Sequence, residues 1–154
     1  MGENVKYYFL LFFLFSSSFI LAQSNELSFN NPCEAMVVCA FPQLVIGRNL
    51  ASPEMQLVFA KARVENIILE NGKVTDRTNL AELVLALFRR TEIGIVFGSN
   101  VPENATLLGY LIEITNNTES HFVLTGLNGV PLYNPCNANG EVVSSQEVYV
   151  YVRK

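Results

Sequence analysis

Two Asn-Pro-Cys tripeptides stand far apart in this chain, ending at Cys33 and Cys136, and a third cysteine, Cys39, lies inside the apolar run MVVCAF. Thiols can form a disulfide, ligate a metal or act as nucleophiles, depending on their partners and compartment. Asn-Pro favours exposed turns, whereas a small residue inside an apolar run is buried and inert. The expected disulfide therefore joins Cys33 to Cys136. It would close a loop of roughly 100 residues and contribute at most about 4.7 kcal/mol by chain-entropy arithmetic. A bridge from Cys33 to Cys39 needs a tight bend, but Asn31, Pro32 and Glu34 have the order of a helix start, and thiols six positions apart on a helix diverge. A third reading leaves Cys39 or Cys136 unpaired and able to join two copies as a covalent homodimer.

Further chemistry is sparse. A serine or cysteine nucleophile normally needs a base, most often histidine, and the chain has one, His121. It falls at the shoulder of a predicted hairpin, the place of an exposed structural histidine. One histidine and three scattered cysteines give no metal cluster of recognisable spacing. Asp76 is the only aspartate, so the Asp-rich loops that calcium prefers are missing. The stretch GIVFGSN lacks the spacing and the lysine of a phosphate loop. Two glutamates could serve a glycosidase, but there is no tryptophan to stack sugars and no local pair of acids. The sequence thus assigns no catalytic, cofactor-binding or metal-ligating residue.

Surface features remain. Asn104-Ala105-Thr106 and Asn116-Asn117-Thr118 are glycosylation sequons in predicted loops, relevant if the source is eukaryotic. On the last predicted strand Tyr149, Tyr151 and Arg153 share a face with Glu147, the mix of aromatics and charge that recognition sites favour. Cross-strand pairing of the tyrosines on an ordinary sheet face is the plainer explanation.

The N-terminus sets the expected compartment. Lys6 precedes YYFLLFFLFSSSFILA, an apolar stretch ending at Ala22, in the order of a secretory signal. Its roughly 16 residues are short for a bilayer core of about 30 Å. Residues 1–22 are therefore expected to be a signal peptide and 23–154 a single domain of about 130 residues, ample for its own core. The next longest apolar run is cut by Arg89 and Arg90. A net charge of -4 without Lys/Arg clusters argues against nucleic acid or anionic membrane as partner. The expected product is secreted, extracellular or, in a bacterium, periplasmic, with an unknown protein or small-molecule ligand and no membrane span after cleavage.

The elements that would position these residues read as mostly strands. Residues 55–70 alternate in the middle, with Val58, Ala60, Ala62 and Val64 opposite Lys61, Arg63 and Glu65; after Asn66 the alternation fails as Ile67, Ile68 and Leu69 run together, which predicts a bulge or a separate strand, before Asn71-Gly72 supplies a turn. In TNLAELVLALFRR the period changes: Leu80, Leu83, Val84, Leu87 and Phe88 form a helical stripe, with Asn79 and Glu82 at cap-box spacing, so an amphipathic helix is expected at about 79–90. Leu85, off the stripe, predicts cover on a second side. Strands then return in EIGIVFG, LLGYLIEIT, HFVLTGL and EVYVYVRK, with a hairpin over 110–125 and a turn at Asn128-Gly129. The fold class is mostly β (α+β): an antiparallel sheet, sandwich or half-barrel with one inserted helix.

The leading functional expectation is a secreted, non-catalytic binding or interaction protein without cofactor, acting through a sheet face or loops. Its alternatives are a carrier of a small apolar ligand in a β-barrel-like pocket and a cofactor-free enzyme using Glu or Tyr.

Overall fold

The computed structural model describes residues 32–117 and 119–154. The expected leader, Asn31 and Thr118 lie outside the described residues. Among the described residues three helices, α1 (Cys33–Ile46), α2 (Ser52–Val64) and α3 (Arg77–Leu87), precede five strands. These are β1 (Ile93–Phe97), β2 (Thr106–Asn116), β3 (Glu119–Thr125), β4 (Pro131–Tyr133) and β5 (Glu141–Val152). All pairings are antiparallel, in the order β1-β5-β2-β3-β4, and the sheet is open rather than closed into a barrel. The class is α+β, as expected from the sequence, but helix and strand have near-equal shares.

Helix α1 exceeds the short turn expected at its start. It is buried from Cys33 to Leu44, and a helix covered on nearly every side shows little amphipathic period. It begins directly after Pro32 and ends where Gly47 takes φ 71°, its N–H donating to the Gln43 carbonyl at 2.9 Å. Gln43, itself buried, donates to the Cys39 carbonyl at 2.8 Å and accepts the Leu50 N–H at 2.7 Å, fixing the exit of the chain. Both Cys33 and Cys39 are on this helix, which keeps them from bridging each other.

Residues 52–64 correct the strand reading. Their buried positions are Met55, Val58, Phe59 and Ala62, a 3.6-residue period, while Ala60 is exposed and Val64 is 83 % exposed. The apparent alternation came from two alanines and two valines set against Lys61, Arg63 and Glu65, and Ala, Lys, Arg and Glu favour helix. Glu54 accepts the Ala51 N–H at 3.0 Å and holds the helix start. The Asn71-Gly72 turn forms as expected, with the Leu69 N–H donating to the Lys73 carbonyl at 2.9 Å.

Helix α3 starts at Arg77 because Asp76, rather than Asn79, is the cap: its carboxylate accepts the Asn79 N–H at 3.0 Å. Leu85 is fully buried, so the second side is covered as its off-stripe position predicted.

The helices cover one face of the sheet. Ile95, Phe97, Leu111, Phe122, Leu124 and Val148 join α1 and α3 in one core, with Phe41 edge-on to Phe97 at 5.6 Å. Each such side chain, fully buried, is worth about 1.5–3 kcal/mol. The hairpin over 110–125 is present, with Tyr110 opposite Thr125 and Ile114 opposite His121. Strand β5, the last in sequence, is central where β1 and β2 flank it, while its first residues pair with β2 alone. Among the described residues, no helix is long and apolar enough to cross a membrane.

Candidate functional site: two thiols and an imidazole beside a polar cleft

The short strand β4 sets up the site. It pairs with β3 only at Leu124 and Thr125, so the backbone of Phe122 has its N–H and carbonyl beyond the end of that ladder. Cys33, the first residue of α1, takes both: the Phe122 N–H donates to its sulfur at 3.5 Å, and its thiol donates to the Phe122 carbonyl at 3.6 Å. The segment after β4 brings Cys136 to the same place. Asn134 closes this loop on itself, accepting the Ala138 N–H at 2.7 Å and donating to the Ala138 carbonyl at 3.1 Å. Buried Tyr133 anchors the loop to the core.

His121 on β3 completes the group. The sulfurs of Cys33 and Cys136 and a ring nitrogen of His121 all lie within 4.8 Å of one another. The structure thus brings together the two cysteines that the Asn-Pro-Cys echo pairs, standing as thiols rather than as a disulfide. Cys39 stays apart in the apolar core, where burial pushes its thiol up.

The cluster is electrostatically lopsided. The Cys33 thiol is drawn down to about 7, chiefly because the Cys136 thiol donates to it; burial opposes this, while the Phe122 N–H and His121 assist. Cys136 is pushed up by that same hydrogen bond, then by burial and the charge on Cys33. A thiolate at the first position of a helix is also favoured by the helix dipole. The hydroxyl of Tyr133 is raised well above its ordinary range, by burial first and then by the three cysteines.

His121 is half-buried rather than exposed at the hairpin shoulder. Its Nε2 lies 3.5 Å from the Glu119 carboxylate, and its Nδ1 is buried without a hydrogen-bond partner. His121, Glu119, Ser120 and Phe122 also line an open cleft of about 1050 Å³ that runs between the start of α1, the 71–78 segment, Glu113 of β2 and Gln146 in the middle of β5. Glu34 lies at its floor. Its carboxylate accepts Arg77 Nε at 2.9 Å and the Val74 N–H at 3.2 Å. Arg77 also donates to Gln146 Oε1 at 2.6 Å and lies 5.5 Å from the centre of the Phe122 ring. This network joins α1, α3 and β5, and only its helix-start residue Glu34 drew notice in the sequence.

The other surface residues are dispersed. Tyr149 and Tyr151 stand on the face of β5 opposite the core valines; the Tyr149 hydroxyl donates to Glu147, and the Tyr151 ring fills the space where a side chain at Gly94 would stand. Arg153 pairs with Glu82 of α3 and donates to the Thr91 carbonyl at 2.9 Å. The amide of Asn104 donates to the Val152 carbonyl at 2.9 Å, and that of Asn116 to Asn139 Oδ1 at 3.2 Å. In comparisons with known proteins, no family model, no curated protein and no solved structure matches the chain.

Proposed function

We propose that this chain is an exported binding domain without catalysis of its own, and that its ligand is a small polar molecule or a few residues of polar peptide seated in the cleft over Glu34, Arg77 and Gln146. The observation that carries this reading is the cleft itself: about 1050 Å³, with a charged and amide network at its floor and Lys73, Asp76, Glu113 and Glu119 around it. Pockets that bind small ligands combine such a volume with a few convergent polar groups. In the network Glu34 holds Arg77 in place, so the guanidinium is ordered before a ligand arrives.

A second reading has its own support. The helix-free side of the sheet has a shallow groove of about 350 Å³ lined by Tyr110, Ile112, Ile114, Val123 and Val142. With the sheet open, an apolar ligand would lie in this groove rather than inside a barrel.

Amide NMR mapping against a library of short polar peptides and polar fragments separates the two. Binding in the cleft shifts the signals of residues 73–78 and 120–122 and is weakened by Gln146→Ala. Shifts gathered on Ile112, Val123 and Val142 instead would replace the first reading with the second.

A further inference from the structure

We infer that Cys33, His121 and Cys136 form a binding site for a borderline-soft divalent cation, zinc above all, with the two sulfurs and one imidazole nitrogen as its ligands. The donor set is the first ground. Thiolate and imidazole select zinc and its neighbours, whereas calcium and magnesium require oxygen. A tetrahedral zinc with bonds of about 2.0–2.3 Å places its ligand atoms roughly 3.5 Å apart. Donors already within 4.8 Å of one another reach that geometry by side-chain adjustment.

The second ground separates a metal from a disulfide. Joining the two sulfurs would leave His121 Nδ1 buried with no partner, as it now stands. A cation between the sulfurs and the ring satisfies all three groups together. The third ground is the support behind each ligand. Glu119 lies 3.5 Å from His121 Nε2, so a cation held on Nδ1 would have a carboxylate on the opposite ring nitrogen, the arrangement that fixes the tautomer and orientation of metal-bound histidines. The Phe122 N–H already points at the Cys33 sulfur, a donor suited to a thiolate. Asn134 fixes the loop that supplies Cys136. On binding, the two S–H bonds are exchanged for sulfur–metal bonds and two protons leave to solvent. Three protein ligands leave a fourth position for water or for a group from the neighbouring cleft, which His121 also lines.

Cobalt(II) titration of the reduced, metal-free protein tests this without reference to any activity. The expected result is one cobalt per chain, with visible bands of tetrahedral coordination, near-ultraviolet thiolate-to-cobalt charge transfer, and displacement by zinc. Cys136→Ser and His121→Gln should each weaken cobalt binding at least a hundredfold. Glu119→Gln should weaken it about tenfold, and Cys39→Ser should leave it unchanged. Cys33 is fully buried in the core, so the two milder ligand variants, with folding checked by circular dichroism, keep the test decisive. Absence of charge transfer, binding that His121→Gln does not alter, or a Cys33 to Cys136 disulfide or disulfide-linked dimer formed in the presence of zinc would each overturn the assignment.

Discussion

Buried polar groups are treated differently in the helical layer and along β3. In the helical layer they are wired to their neighbours: Glu34 serves Arg77 and the Val74 N–H, and Gln43 uses its amide in both directions. On β3, His121 Nδ1 and Thr125 Oγ1 are buried with no hydrogen-bond partner. Folded proteins tolerate few such atoms, so each needs a reason. In the helical layer polarity holds the frame together, whereas His121 lies where two thiols also converge and chemistry has a place to occur.

The sharpest way to break this contrast is at Glu34. Glu34→Ala leaves Arg77 without its carboxylate partner and the Val74 N–H without an acceptor, and should destabilise the protein by about 3 kcal/mol. Urea denaturation measures it; a loss under about 1 kcal/mol would show that the network is not structural. Gln43→Ala should lose about 2 kcal/mol in the same assay, because the Leu50 N–H is stranded in the core. Thr125→Val should have the opposite sign. Removing a buried hydroxyl that has no partner stabilises by up to about 1 kcal/mol, seen as a raised midpoint. Smallest of all is Leu57→Ser, at an exposed position of α2, with a change within about 0.5 kcal/mol.

The sheet was far more legible in the sequence than the helices before it. Strands with one face on the core alternate, so Phe122 and Leu124, and Val148 and Val150, announced themselves. Helix α1 gave no such pattern because it is buried all round, and in α2 a short alternation around Val58 and Ala62 masked the period that begins at Met55. At α3 the stripe was clear, but the cap lies at Asp76, three residues ahead of Asn79. A bulge in β2 also changes the parity of the strand: Leu108 and Leu111 both reach the core, while Tyr110 and Ile112 turn to the other side.

The site was half legible. The repeated Asn-Pro-Cys marked the two cysteines that meet. His121 carried no signal, since its partners come from the start of α1 and from the loop after β4, and only the fold brings three such distant stretches together. The floor of the cleft was hidden for the same reason: Glu34, Arg77 and Gln146 belong to three different elements.

The most direct test of the central claim is zinc K-edge X-ray absorption on the protein loaded with one zinc per chain. The account predicts a shell with two sulfurs at about 2.3 Å and a histidine nitrogen at about 2.0 Å, losing one sulfur in Cys136→Ser. A shell of oxygen and nitrogen alone would contradict it.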